Sequence, residues 1–111
     1  KTHGITLEKA RETLALLDPS ARLKEADVVI DGDHRGEGYG IPTTGMIDAV
    51  RLMAGKEGLL LDPVYSGKAF AGLLHDIRRG VYKPGENVLF LMTGGVPGLF
   101  AYQSVFRGSK S

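Results

Sequence analysis

Apolar residues recur at helical spacing in three segments of the chain. The spacing predicts helices over residues 6–17, 44–56 and 66–79. Gly58 follows the second segment and is expected to end that helix in the left-handed conformation. The faces expected to be buried are Leu7, Ala10, Leu14 and Leu17 in the first helix, Met46, Val50, Met53 and Ala54 in the second, and Phe70, Leu73, Leu74 and Ile77 in the third.

Three short apolar runs separate or follow these helices, at residues 27–30, 59–61 and 88–92. The last run, VLFLM, is apolar at every position, which is typical of central parallel strands covered on both faces. Because predicted strands alternate with predicted helices, the pattern indicates an α/β fold with a mostly parallel sheet flanked by helices.

Composition narrows the possible functions. The 111 residues include 14 basic and 13 acidic side chains, so the net charge of +1 disfavours nucleic-acid binding driven by bulk charge. The absence of cysteine excludes disulfides and thiolate chemistry, and the three histidines are too scattered to predict a metal site. The apolar runs are too short to cross a bilayer and the chain does not open like a signal peptide, so a cytoplasmic protein without membrane partners is expected.

Two of the predicted strands end in segments that suit ligand binding, DPVYSGK at 62–68 and TGGVPG at 93–98. Ligands of open parallel sheets bind beyond the carboxyl ends of the strands. Tyr65, and Tyr39 between two glycines, are candidate acid–base groups or nucleophiles, and half-buried structural tyrosines are the alternative. The glycine-rich segment equally suits a plain tight turn, and Lys68 suits a solvated helix lysine better than an imine-forming one.

Taken together, these segments closely resemble the C-terminal part of the D-cysteine desulfhydrase and 1-aminocyclopropane-1-carboxylate (ACC) deaminase family. The resemblance covers residues 27–106 and rests on the motifs GYGIPTTGMIDAVRLMAGKEGLLLDPVYSGKAFAGLLHDIRRG and NVLFLMTGGVPGLFAY. It implies a pyridoxal 5′-phosphate (PLP) enzyme of fold type II, the tryptophan-synthase-β-like group, homodimeric at full length. In that family the Schiff-base lysine, the substrate loop and the phosphate cradle lie upstream. Residues 1–111 are therefore expected to be the C-terminal part of the PLP-binding large domain, inactive alone.

The resemblance assigns roles to individual residues of this chain. Tyr65 corresponds to the active-site tyrosine placed over cofactor and substrate, and Tyr39 corresponds to a second tyrosine within hydrogen-bonding reach of it. Thr93 falls where the desulfhydrases place a hydroxyl beside the pyridine nitrogen. Gly94 and Gly95 are expected to let the backbone pass close to the cofactor ring.

Ser66 is the position that separates the two activities of the family. The deaminases carry a glutamate there, which holds the pyridine nitrogen protonated, whereas a serine hydroxyl supports a neutral pyridine at most. Ser66 as a cofactor contact therefore favours a desulfhydrase-like α,β-elimination of a small sulfur amino acid, yielding pyruvate, ammonia and sulfide. ACC deaminase is the alternative within the family, and a small non-catalytic α/β binding domain is the alternative outside it.

Overall fold

The computed structural model describes residues 1–107, and within that range the regular structure is helical. Its α-helices are α1 (Thr2–Leu17), α2 (Thr44–Glu57), α3 (Ser66–Arg78) and α4 (Gln103–Phe106). Short 3-10 segments occupy Glu25–Asp27, Asp33–Arg35 and Val96–Tyr102. The chain divides into two compact units, Lys1–Gly32 and Asp33–Ser111, and every candidate site residue belongs to the second.

The predicted parallel sheet is not observed, so the α/β fold prediction, including the fold type II sheet, is wrong for residues 1–107. An apolar run predicts burial, but a strand also requires a neighbour that bonds its backbone N–H and C=O groups. None of the three runs is paired in this way within the described range. In the third run Phe90 packs on Phe70 with ring centroids 5.2 Å apart, while Leu89 remains 92% exposed.

The first unit consists of α1 and an extended segment that folds back along it. The His3 ring bonds through Nε2 to the carbonyl oxygen of Val28 at 2.7 Å, and the Arg11 guanidinium donates to the carbonyl of Leu23. The prediction that α1 begins at residue 6 is wrong, because Thr6 donates its hydroxyl to the carbonyl of Thr2 from inside the helix.

The second unit is organised around the packing of α2 against α3. Most of the predictions for α2 are confirmed: its side chains at Met46, Val50 and Met53 are buried, and Gly58 ends it with φ of 67°. Ala54, also expected in the core, is only partly buried. Leu61 completes the buried cluster, and the partly buried hydrophobics packed against it are Ile47, Phe70, Phe90, Leu99 and Phe106.

The buried face of α3 differs from the predicted one. It carries Ser66, Gly67, Lys68 and Gly72, whereas Ile77 is exposed. The reason is the closeness of the two helices at Gly67. A Cβ atom there would lie 2.7 Å from the carbonyl oxygen of Asp62 and 2.9 Å from side-chain carbons of both Met46 and Val50. Small residues therefore define the contact, and the larger apolar side chains of α3 lie beside it.

Neither a membrane-spanning helix nor a metal-binding cluster is found in the part of the chain that the structure describes. No helix within residues 1–107 is long and apolar enough to cross a bilayer. Over the same residues, no group of three or more His, Cys, Asp or Glu side chains is placed to hold a metal ion.

Candidate active site

The two candidate tyrosines, 26 residues apart in sequence, meet at the surface of the second unit. The Tyr65 hydroxyl donates a hydrogen bond of 2.8 Å to the Tyr39 hydroxyl. Their rings meet edge to face, with centroids 5.8 Å apart and planes at 64°. Tyr39 is 78% exposed and Tyr65 60% exposed, so both phenols are accessible to a bound molecule.

The hydrogen bond between the tyrosines favours the protonated form of Tyr65. Tyr65 would lose the bond that it donates to Tyr39 if it ionised, and this raises the pKa of Tyr65 above its ordinary value. Partial desolvation and the charge of Asp62 act on this pKa in the same direction. Tyr65 is therefore a protonated phenol at neutral pH, suited to donate a proton or a hydrogen bond.

Asp62 holds the turn that presents Tyr65. Its buried carboxylate accepts the backbone N–H groups of Tyr65 and Ser66, with shortest distances of 2.8 and 2.9 Å respectively. Its carbonyl oxygen accepts the N–H of Gly67 at 2.8 Å. Asp62 thus satisfies the first N–H groups of α3, a position where negative charge also interacts favourably with the helix dipole.

The TGG segment reaches the same turn through Gly95. A Cβ atom at Gly95 would lie 3.2 Å from Cβ of Asp62 and 3.3 Å from its Cγ, and the φ of 86° at this residue is itself unfavourable for other side chains. Thr93 and Gly94 immediately precede this contact and are exposed, and Gly94 has φ of 105°. The structure therefore brings the DPVYS and TGG motifs together at Asp62.

The loop that carries Tyr39 is fastened by two other residues. Lys68, only 7% exposed, donates from Nζ to the carbonyl oxygens of Arg35 at 2.6 Å and Gly38 at 3.1 Å. The Tyr102 hydroxyl donates to the carbonyl of Gly40 at 2.8 Å. The interpretation of Lys68 as a solvated helix lysine is therefore wrong, and its amine is already engaged by backbone oxygens.

Sequence reasoning missed Asp62, Lys68 and Tyr102 as structural parts of this site. Asp62 had a detectable signal, because an acidic residue three or four positions before the first helical N–H groups has the spacing of a helix cap. Lys68 and Tyr102 gave no comparable signal, since their partners are backbone carbonyls that lie 30 or more residues away in the sequence.

An apolar groove of about 450 Å³ lies elsewhere in the second unit. It is lined by α2 and the C-terminal helical segment, with Val50, Leu60, Leu99, Phe100 and Phe106 among the lining residues. None of the candidate site residues lines it. The apolar groove and the candidate site residues are therefore separate features of this unit.

Comparison with known proteins places the chain in a class. Residues 4–94 match the family model described as pyridoxal-phosphate dependent enzyme, and the chain belongs to that family. The enzymes of this family depend on PLP as their cofactor.

Several individual proteins are also similar to this chain. The chain is 45% identical over 107 residues to a 1-aminocyclopropane-1-carboxylate deaminase of Burkholderia ambifaria, covering 96% of this chain and 32% of the relative. It is also 45% identical to the proteins of the same name from Burkholderia multivorans, over 87% of this chain and 29% of the relative, and Burkholderia vietnamiensis, over 88% and 29%. The chain thus spans about a third of the length of these relatives.

The polar side chains of the DPVYS and TGG motifs can be compared with what a PLP cofactor would require. The cofactor ring carries a nitrogen that accepts a proton or a hydrogen bond. The carboxylate nearest the start of α3, Asp62, already accepts two backbone N–H groups. Besides the Tyr65 phenol, the side-chain hydroxyls of these motifs are those of Ser66, which is buried, and Thr93, which is exposed. Such a donor set suits a neutral ring nitrogen, and the exposed glycines 94 and 95 leave the neighbouring backbone open to a flat ring.

Proposed function

We propose that this chain is the C-terminal, tyrosine-bearing part of a PLP-dependent lyase that catalyses α,β-elimination of a small sulfur amino acid, as D-cysteine desulfhydrases do. The products would be pyruvate, ammonia and, from D-cysteine, sulfide. The observation that carries the proposal is Ser66, which directly follows Tyr65 in the turn held by Asp62. In this proposal Ser66 and Thr93 supply hydroxyls to the cofactor nitrogen, and Gly94 and Gly95 lie beside its ring.

The chemistry of the leaving group connects Ser66 with elimination. When bound, the cofactor supplies an electron sink whose strength increases if its ring nitrogen is protonated. A carboxylate at position 66 would hold that proton by charge pairing, whereas the serine hydroxyl does not. Expulsion of a good leaving group such as thiolate requires a weaker sink than opening of a cyclopropane ring, so Ser66 favours elimination.

Tyr65 is the proposed catalytic acid of the site, and Tyr39 is its partner. The hydrogen bond to Tyr39 is the main cause that raises the pKa of Tyr65, and it favours the protonated phenol. Both rings are exposed, so a substrate can replace part of that bond without unfolding the turn. We assign to Tyr65 the transfer of a proton at its Oη atom and to Tyr39 the orientation of that hydroxyl.

The proposal includes a longer protein around this chain. In the family that the chain resembles, the covalent lysine and the phosphate-binding loop lie upstream, so both would come from the N-terminal part of that protein. The buried Lys68 is instead engaged by two backbone carbonyls. Residues 1–111 would then form the C-terminal part of the PLP-binding domain. We take the full-length enzyme to be a cytoplasmic homodimer. Sedimentation of the full-length protein would test the dimeric state.

ACC deaminase is the second candidate function. It is favoured by the printed names of relatives that are 45% identical to this chain. The membership in an enzyme family leaves the non-catalytic binding domain without support.

A product assay separates the two candidates. The full-length enzyme, loaded with PLP, would be offered D-cysteine, L-cysteate and ACC in parallel, and pyruvate would be measured against 2-oxobutyrate. We expect pyruvate from at least one of the β-substituted amino acids and little product from ACC. Predominant formation of 2-oxobutyrate from ACC would establish the deaminase and refute the assignment based on Ser66.

A further inference from the structure

Lys68 is a buried cation in α3 that contacts the loop bearing Tyr39. Its ammonium donates to the carbonyl oxygens of Arg35 and Gly38, and Gly38 directly precedes Tyr39. Lys68 also lies three residues after Tyr65, at the start of the same helix. The helix α3 therefore begins directly after Tyr65 and, through the side chain of Lys68, contacts the loop that carries Tyr39.

The loop fits closely around this ammonium. Gly36 has φ of 73°, and a Cβ atom there would overlap Cγ2 of Thr43 and lie 3.8 Å from Nζ of Lys68. The carbonyls at 35 and 38 converge on one nitrogen, an arrangement that suits the compact ammonium of lysine and its three donors. A guanidinium is larger and planar, and its fork does not match two carbonyls that point at one atom.

We propose that Lys68 is a positioning residue, which holds the loop 35–40 on α3 and thereby places the Tyr39 hydroxyl against the Tyr65 hydroxyl. The inference rests on the proposed catalytic function of these two tyrosines. Tyr102 fixes the other side of the loop through the carbonyl of Gly40, so removal of Lys68 frees the segment before Tyr39 while leaving the segment after it attached.

The experiment uses the full-length enzyme with the variants Lys68→Met, Lys68→Arg and Tyr39→Phe. Lys56→Met is the matched control, because Lys56 is an exposed lysine in the last turn of α2. Tyrosine labelled with ¹³C at Cζ reports the pKa of Tyr65 by NMR titration, with Tyr65→Phe assigning the resonance. This readout is independent of turnover.

Loss of the hydroxyl contact lowers the pKa of Tyr65 toward its ordinary value, since the bond to Tyr39 is the main cause of its rise. We expect this shift in Tyr39→Phe and in Lys68→Met, and no change in Lys56→Met. In Lys68→Arg the pKa of Tyr65 should lie between the values of Lys68→Met and the wild type. The double variant Lys68→Met with Tyr39→Phe should titrate like Tyr39→Phe alone, because both changes remove the same contact.

Kinetics supply the second readout. A misplacement of about 1 Å in a catalytic site can cost about 10²-fold in rate, so we expect Lys68→Met to lower kcat by 10- to 100-fold with KM changed much less. If Lys68→Met does not fold, Lys68→Gln, which keeps a polar donor, should show the same pKa shift in reduced size.

The outcomes distinguish the inference from the function on which it rests. A lowered pKa of Tyr65 in Lys68→Met supports the positioning role of Lys68, whatever the kinetics show. An unchanged kcat in both Lys68→Met and Tyr39→Phe would refute the catalytic role of the tyrosines. A native pKa of Tyr65 in Lys68→Met, together with the expected shift in Tyr39→Phe, would overturn the positioning role.

Discussion

Replacement of Gly67 by alanine should destabilise the protein, although alanine is the better helix former. The Cβ atom of an alanine would lie 2.7 Å from the carbonyl oxygen of Asp62 and 2.9 Å from carbons of Met46 and Val50. Side chains at 46 and 50 can move by changing rotamer, at some cost in a buried cluster. The carbonyl of Asp62 cannot, because it belongs to the turn that holds Tyr65 and also accepts the N–H of Gly67.

The magnitude follows from two opposed effects. Exchange of glycine for alanine inside a helix gains about 0.5–1 kcal/mol in backbone entropy. Overpacking of a close contact typically costs about 1–3 kcal/mol, and weakening of the bond from Gly67 to Asp62 adds about 0.5–1.5 kcal/mol. We therefore expect a net loss of about 0.5–4 kcal/mol in the free energy of unfolding, together with reduced turnover because the Tyr65 turn is displaced.

Gly55→Ala is the matched control, because Gly55 also lies inside a helix but has open space where a Cβ atom would be added. Urea unfolding of the full-length protein, followed by circular dichroism, measures both variants. The midpoint should fall for Gly67→Ala and rise slightly for Gly55→Ala. Equal stability of the two variants would refute the close contact between α2 and α3 at Gly67.

Two further predictions concern the hydroxyl groups of the site. Thr93→Ala should change the absorption spectrum and affinity of bound PLP while leaving the melting temperature within about 2 °C, since Thr93 is exposed and outside the core; an unchanged spectrum and activity would count against Thr93 as a cofactor contact. Tyr39→Phe should lower the pKa of Tyr65. The raised pKa of Tyr65 stabilises the folded state at pH values below the ordinary value of 10.0, and this stabilisation is lost as pH rises through the raised pKa. Tyr39→Phe should therefore lose less stability between neutral and alkaline pH than the wild type, as measured by urea unfolding across that pH range.

The helices of the second unit were predictable, and the reason is local. The spacing of Met46, Val50 and Met53 describes one face of α2, and Gly58 marks its end by a conformation that glycine adopts readily. Both signals depend on neighbours within a few residues, and no distant part of the chain needs to be known for them to be correct.

The predicted strands are not observed, because an apolar run indicates burial but does not indicate a backbone partner. Residues 88–92 have the composition of a buried strand, but composition does not supply a hydrogen-bonding neighbour. The predicted face of α3 failed for a related reason. Its closest contact with α2 is made by Gly67, and hydrophobicity does not identify glycine as a packing residue.

Family resemblance predicted that the hydroxyls of Tyr39 and Tyr65 lie within hydrogen-bonding reach, but it did not predict the residues that hold the two tyrosines in place. The two hydroxyls lie 2.8 Å apart, and the catalytic roles of Tyr39 and Tyr65 stay predictions. Lys68 was misinterpreted because a lysine in a helix is usually solvated, and its burial depends on a loop more than 30 residues earlier in the chain.

The catalytic role of Tyr65 is the central claim, and Tyr65→Phe in the full-length enzyme tests it most directly. The variant keeps the ring and the backbone N–H groups held by Asp62, and it removes only the hydroxyl that is bonded to Tyr39. We predict that kcat for pyruvate formation falls by at least about 10²-fold, as expected for loss of a general acid, while the affinity for PLP changes by less than about threefold. A variant that retains near-normal turnover, or that loses turnover and PLP affinity in equal measure, would contradict the account.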